Sequence, residues 1–211
     1  MKTYTSNIFF IICLTVFSFL TDTMCFAQNA DIQLLRNFNK RTKGTDGIMI
    51  ATTNSVYPFA AAAPITEIIV GYVKHDNIAF EKGIQTIAGL GLNFLATEGF
   101  KYTLNKDRPY ITYTNLNPYQ WNTDPTFPSG HTSFAFNTAN SLSMCYPKWY
   151  VIVPSYLWAC SVGYSRMYLG MHYPSDVAAG AIIGTATAWF AKKGNDYLKY
   201  RRRKKFMIDH D

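Results

Sequence analysis

Three short stretches of this 211-residue chain combine cationic side chains with histidines or helix-capping residues. The stretch 165–176 holds Arg166, His172 and Asp176. An arginine fork binds oxyanions in a bidentate manner, and a histidine can act as nucleophile, acid or base near neutral pH. A carboxylate four residues after the histidine can hold its ring in one tautomer. Taken alone, this stretch fits a phosphate site and a solvated loop equally well.

The other two stretches lie upstream. Lys101 and Arg108 are seven residues apart, nearly two helical turns, so both side chains project from one helix face. Further on, Ser129 is a good N-cap, and Gly130 lets a ligand approach the first N–H groups of the helix that His131 opens. The positive end of that helix attracts an anion. Each stretch alone fits a membrane-surface cation pair or a plain helix cap, but together they indicate one anion site.

Apolar segments must position these stretches. The segments are 48–73, 84–104, 131–147, 149–165 and 177–191. None shows the alternation of a strand, so the sequence predicts an all-α fold, a bundle of about five to six helices. The last three segments carry no acidic, Lys or Arg side chain, whereas helices of a soluble bundle show charged outer faces. A 17-residue helix is about 26 Å long, close to the hydrocarbon thickness of about 30 Å, so we expect the bundle to span a membrane.

The chain divides into four predicted parts. Residues 1–27 read as a signal peptide, favoured over an uncleaved anchor because the apolar run of about 13 residues is short for a span. Residues 28–47 form a short polar surface segment, 48–198 the helical core and 199–211 a basic tail. The tail suits the cytoplasmic flank of a membrane helix, which puts the three stretches outside. The sequence shows no basic face with interleaved aromatic residues, so we do not expect it to bind nucleic acid.

Together the three stretches resemble a known signature. They read Lys101…Arg108-Pro109, Pro128-Ser129-Gly130-His131 and Ser165-Arg166…His172…Asp176. This pattern is similar to the three-part signature of the type 2 phosphatidic acid phosphatase and vanadium haloperoxidase superfamily. The resemblance covers roughly residues 48–195. It implies a helical core with the active site at the outer ends of the helices, and hydrolysis of phosphomonoesters or pyrophosphates with no metal and no other cofactor.

The resemblance also implies which side chains hold the phosphate. Lys101, Arg108 and Arg166 would clamp its oxygens, because three fixed cations can stabilise charge that develops in the transition state. The hydroxyl of Ser129 and the backbone N–H of Gly130 would add hydrogen-bond donors.

The implied catalytic residues are His172, His131 and Asp176. His172 would attack phosphorus and form a phosphohistidine. Asp176 would hold the other ring nitrogen and stabilise the imidazolium. His131 would protonate the leaving alcohol and then deprotonate the water that releases phosphate.

We expect the partners to be the membrane and a lipid phosphate. Candidates are phosphatidic acid, phosphatidylglycerophosphate, polyprenyl pyrophosphate and lipid A phosphates. The expected location is the bacterial inner membrane, with the site facing the periplasm, and no obligate protein partner is evident. Three alternatives stay open. They are a soluble periplasmic acid phosphatase on the same core, a vanadate-dependent haloperoxidase, and a membrane scaffold with a vestigial site.

Overall fold

The computed structural model describes residues 29–208, with side chains to residue 205, so the predicted signal segment lies outside the described residues. Within them the fold is all-α, as predicted, and no strand occurs. The helices are α1 (29–38), α2 (Lys43–Asn54), α3 (Val56–Val73), α4 (Asn77–Leu104), the one-turn α5 (Pro109–Thr112), α6 (Gly130–Cys145), α7 (Trp149–Tyr168) and α8 (Pro174–Ile208).

Helix α6 is the centre of the bundle and contacts α3, α4, α7 and α8. Its approach to α8 is close because α8 presents glycines to it. A Cβ on Gly180 would lie 2.6 Å from the carbonyl oxygen of Ser129, and one on Gly184 would collide with the carbonyl oxygen of Ser133. This contact fixes the start of α6 against the start of α8, which are the two helix ends that carry Ser129–His131 and Asp176.

Polar side chains lie inside the bundle and bond across helices. Asn137 of α6 donates to the carbonyl oxygen of Gly89 in α4 (3.0 Å) and to Thr187 Oγ1 in α8 (2.9 Å). Asn93 and Asn137 are both fully buried. These bonds offset part of the cost of burying polar side chains, and they tie three helices together.

Large apolar side chains cover the outer surface of the same helices. They include Phe59, Ile65, Ile69, Ile84, Leu92, Leu95, Leu157, Ile182 and Phe190, each at least 44% exposed. Such an apolar surface fits contact with lipid. By length and mean hydropathy, one segment of the described residues is apolar enough to cross a membrane, Lys43–Val73, at a mean of 1.4. Helix α6, at 16 residues, is too short to meet this criterion. In α4 the buried polar side chains Gln85, Thr86, Asn93 and Thr97 lower the mean hydropathy without facing outward.

Several boundaries differ from the prediction. The segment 48–73 is two helices that break at Ser55, and Pro64 lies within α3 without ending it. Helix α7 runs past residue 165, so Arg166 belongs to its last turn. Helix α8 begins at Pro174 and continues to Ile208, so the basic residues after 199 extend a helix.

The segment 28–47 is more than a polar surface segment. Helix α1 within it buries Ile32 and Leu35 against Tyr110, Tyr168 and the loop after α7. Only two residues of this short helix are buried and apolar, so the periodicity of its sequence is too weak to predict that it packs against the core.

Candidate active site

Six parts of the chain meet at one cavity of about 240 Å³. They are the start of α3, the end of α4 with the residues just after it, the α5–α6 loop, the start of α6, the last turn of α7 and the α7–α8 connection. Six of the eight predicted site residues line it: Lys101, Arg108, Gly130, His131, Arg166 and His172. The sequence motifs, up to 71 residues apart, therefore converge on a single cationic cavity that contains two imidazoles.

The other two predicted residues lie behind the cavity wall. Ser129 is the N-cap residue of α6, but its side chain makes no capping bond. Its hydroxyl pairs with Thr132 Oγ1 at 2.9 Å, and its backbone N–H donates to the carbonyl oxygen of Asp176 at 3.0 Å. The Ser129 hydroxyl is therefore paired within the first turn of α6, and its contact with a phosphate stays a prediction.

Arg108 is 2% exposed and is held by three hydrogen bonds. It donates to the carbonyl oxygens of Asp124 (2.9 Å) and Met171 (3.1 Å), and to Asp124 Oδ1 (2.8 Å). The other carboxylate oxygen of Asp124 accepts from Lys101 Nζ at 2.7 Å. Asp124 thus bridges two of the three predicted phosphate clamps. No sequence pattern predicted this role, because Asp124 lies in an irregular loop outside all three stretches.

Arg166, the third clamp, is also 2% exposed. One terminal nitrogen donates to Thr53 Oγ1 at 2.9 Å. Its Nε–H is buried and has no hydrogen-bond partner among the described residues. A buried donor left unpaired costs about 1–3 kcal/mol, and more when the group is charged. An oxyanion bound in the cavity would therefore find an unpaired N–H donor available.

His172 is 2% exposed, and its Nδ1 lies 2.8 Å from the carbonyl oxygen of Thr126. A carbonyl oxygen only accepts, so Nδ1 carries the proton and Nε2 is left with its lone pair. Burial lowers the pKa of His172 to about 4 from an ordinary 6.5. Asp176 opposes this pKa shift, while the charges of Arg166 and Arg108 add to it. The ring is therefore neutral at pH 7, as a nucleophile must be.

The sequence predicts that Asp176 accepts a hydrogen bond from His172, but the structure shows no direct bond between them. The distance from Asp176 Oδ2 to His172 Nδ1 is 3.7 Å, beyond hydrogen-bond range. The buried carboxylate instead accepts from Thr126 Oγ1 (2.7 Å), from Lys106 Nζ (2.9 Å) and from the backbone N–H of Tyr173 (3.0 Å). Thr126 stands between the two residues, and neither it nor Lys106 was singled out from the sequence.

Helix α1 braces this side of the site. Asp31 accepts from the backbone N–H of Ser175 at 2.9 Å and also bonds to the Ser175 hydroxyl. Its Oδ2 lies 3.9 Å from Lys106 Nζ. The first turn of α8, which carries Asp176, is therefore capped by a side chain from the amino-terminal segment.

His131 faces the same cavity, with its ring 5.1 Å from that of Tyr57, centroid to centroid, in an edge-to-face arrangement. His75 lies in the turn before α4, at the opposite end of that helix from Lys101. Twenty-four helical residues separate them, roughly 36 Å, so His75 has no part in this site.

A second cavity, of about 520 Å³, lies between α3, α6 and α7. Its lining is mostly apolar, with Glu67 and a few hydroxyl side chains and with no Lys, Arg or His. Because anion binding needs cationic or N–H groups, the smaller of these two cavities is the one suited to a phosphate.

A family model described as the PAP2 superfamily matches residues 82–200, which include all three stretches. The chain belongs to the PAP2 superfamily. It is therefore a phosphoric ester hydrolase by family, and the fold and enzyme class expected from the resemblance are confirmed.

Relatives and solved structures agree with this membership. An undecaprenyl-diphosphatase of Sulfolobus acidocaldarius is 29% identical over 168 residues, 74% of this chain and 73% of that one. A lipid A 4'-phosphatase of Bacteroides thetaiotaomicron is 43% identical over 63 residues, 30% and 28% of the two chains. The crystal structure of Aquifex aeolicus LpxE superposes with a TM-score of 0.65 at 25% identity, covering 78% of this chain and 95% of that one.

A transmembrane PAP2-type phosphatidylglycerolphosphate phosphatase from Bacillus subtilis shares the fold. Its TM-score is 0.67 at 21% identity, with 82% of this chain and 87% of that one covered. The helical bundle is thus one that a transmembrane phosphatase also adopts.

Proposed function

We propose that this PAP2 protein is a membrane lipid phosphatase that transfers the phosphoryl group of its substrate first to His172 and then to water. The observation that carries the proposal is the cavity in which Lys101, Arg108 and Arg166 surround two histidines. Three fixed cations match the charge that phosphoryl transfer spreads over the non-bridging oxygens.

In the first step, Nε2 of His172 attacks phosphorus as the bond from phosphorus to the leaving oxygen breaks. Burial and the nearby cations lower the pKa of His131. A bound phosphate offsets those positive charges and raises that pKa, so His131 enters the step protonated and gives its proton to the leaving oxygen. The phosphorylated imidazole carries positive charge, which its Nδ1–H shares with the carbonyl oxygen of Thr126 at 2.8 Å. Asp176 contributes a negative charge 3.7 Å from the ring, which favours the imidazolium.

In the second step, the now neutral His131 takes a proton from water, and the hydroxide attacks phosphorus. The bond from phosphorus to His172 Nε2 breaks, its electron pair returns to the ring, and inorganic phosphate leaves. His131 ends protonated and His172 neutral, so both are ready for another turnover.

Apolar side chains at the same cavity favour a lipid substrate. Tyr57, Phe94 and Phe134 line it alongside the cations, and Tyr57 and Phe94 are about half exposed. A phosphate in this cavity would therefore have an apolar surface beside it, where an alkyl chain can lie. The named activities of the relatives, on undecaprenyl diphosphate and on lipid A, are of the same chemical class.

Helix α8 supports an outward-facing site. Its 35 residues extend roughly 52 Å, well beyond a hydrocarbon core of about 30 Å. Asp176 lies in its first turn, and the basic residues from Lys192 onward lie at its other end. By the positive-inside rule that end lies in the cytoplasm, which puts the site at the periplasmic face. Cleavage of residues 1–27 stays a prediction, and amino-terminal sequencing of the purified protein tests it.

The test is phosphate release by the detergent-purified full chain. The panel contains phosphatidic acid, phosphatidylglycerophosphate, undecaprenyl diphosphate, lipid A and a water-soluble aryl phosphate. We expect release from at least one lipid at a kcat/KM at least about tenfold above that of the aryl phosphate, inhibition by vanadate, and loss in His172→Ala. Equal or better turnover of the soluble ester by protein that leaves the membrane without detergent would favour the acid phosphatase instead.

A further inference from the structure

Asp124 forms ion pairs with two of the cations that the proposed mechanism needs, Lys101 and Arg108. Its two carboxylate oxygens lie 2.7 Å from Lys101 Nζ and 2.8 Å from an Arg108 terminal nitrogen. Asp124 itself lines the 240 Å³ cavity with His131 and His172. A carboxylate that spans two cations presents two charged oxygens to them, as a phosphate would.

The carboxylate is not needed to hold Arg108 in place. Arg108 keeps hydrogen bonds to the backbone carbonyls of Asp124 and Met171 whatever the Asp124 side chain does. Lys101 also has a second acidic neighbour, Glu98, at 3.8 Å. Both cations therefore stay at the cavity when the Asp124 carboxylate leaves.

The carboxylate is also free to leave. The Asp124 side chain is 46% exposed, while its backbone carbonyl is fixed by Arg108. Rotation about its side-chain bonds would carry the carboxylate into water without unfolding the loop. Partial burial raises the pKa of Asp124, but Lys101 and Arg108 together lower that pKa by more. The carboxylate is therefore charged at neutral pH and competes with phosphate as an anion.

We propose that Asp124 is an internal competitor of phosphate: its carboxylate occupies Lys101 and Arg108 in the resting site and is displaced by the phosphate group of substrate, product or inhibitor. This inference rests on the proposed phosphate site. Displacement weakens the binding of every such ligand, including the phosphate product, and so favours its release. Asp124 thereby sets the affinity of the site without taking part in the bond-making steps.

The test is direct binding of inorganic phosphate and of vanadate to the detergent-purified full chain, by calorimetry. Asp124→Asn keeps the shape and removes the charge. The matched control is Asp107→Asn, an equal charge change at an exposed position with no hydrogen bond or ion pair among the described side chains. We expect Asp124→Asn to bind both probes about fivefold more tightly, as loss of two partly exposed ion pairs allows, and the control to stay within about twofold.

Weaker or unchanged binding by Asp124→Asn would overturn the inference and make Asp124 a residue that merely orients the cations. If Asp124→Asn is unstable, Asp124→Ala gives the same comparison, with tighter binding again expected. Failure of the proposed function looks different: the wild-type chain would bind neither probe and release no phosphate from any ester. A wild-type chain that binds and turns over, with no gain in either variant, defeats only the inference about Asp124.

Discussion

His172 and Asp176 share one buried site, but Thr126 joins them in place of a direct hydrogen bond. Their nearest ring nitrogen and carboxylate oxygen are 3.7 Å apart. The carbonyl oxygen of Thr126 accepts from His172 Nδ1 at 2.8 Å, and the Thr126 hydroxyl donates to Asp176 at 2.7 Å. One residue of the α5–α6 loop therefore fixes the tautomer of the proposed nucleophile and the position of the carboxylate.

Replacing Thr126 by Val should slow the chemical step. The substitution keeps the backbone carbonyl but removes the hydroxyl that Asp176 accepts from. A hydrogen bond to a charged group contributes roughly 1.5–3 kcal/mol, so we expect kcat to fall about tenfold or more with little change in KM. Thr126→Ser, which retains the hydroxyl, should recover most of the rate. A fall in melting temperature with kcat unchanged would assign Thr126 a purely structural role.

The buried position of His172 predicts activity at unusually low pH. Its pKa of about 4 means that Nε2 stays unprotonated, and able to attack, until the pH falls through about 4. Since Asp176 raises this pKa, Asp176→Asn should move it lower still, even as it slows turnover. Histidine NMR in detergent, with His172→Asn to assign the signal, measures the titration. A midpoint near the ordinary 6.5 would contradict the burial that the structure shows.

The same shift makes the fold sensitive to acid. The unfolded chain binds a proton at His172 below about pH 6.5, and the folded chain only below about pH 4. Between these values the unfolded state holds more protons, so this contribution to stability declines as the pH falls.

The packing of α6 on α8 predicts a sharp difference between two glycines. A Cβ at Gly184 would collide with the carbonyl oxygen of Ser133, whereas a Cβ at Gly194 has nothing within 4 Å. Gly184→Ala should therefore lower the free energy of unfolding by about 1–3 kcal/mol. Gly194→Ala, the control in the same helix, should leave it unchanged or raise it by up to about 1 kcal/mol. Equal melting temperatures for the two variants would show that the helices can separate without loss.

The sequence predicted the fold better than it predicted the hydrogen bonds of the site. Uncharged segments predicted the helices of the core, and motif spacing predicted six residues that line one cavity. Thr126 and Asp124 were not predicted because they lie in an irregular loop, where no periodicity relates a residue's place in the sequence to the direction of its side chain. The cap position of Ser129 did not reveal that its hydroxyl pairs with that of Thr132, one helical turn further along.

Mean hydropathy underestimates how apolar the outer surface of the bundle is, for a related reason. Asn93 and Asn137 lower the average of their helices, although they lie inside and bond to neighbouring helices. Only the three-dimensional arrangement separates these inward residues from the apolar outer face.

The most direct test of the central claim is to trap the phosphoryl group on His172. An aryl phosphate has a leaving group that departs without a proton, so His131→Ala should still be phosphorylated but should release phosphate slowly. Rapid quenching and peptide mass spectrometry should then find one phosphoryl group on the peptide that contains His172, and none when His172→Ala is combined with it. Phosphate release by His172→Ala at a near wild-type rate, or a phosphoryl group on another residue, would contradict the account.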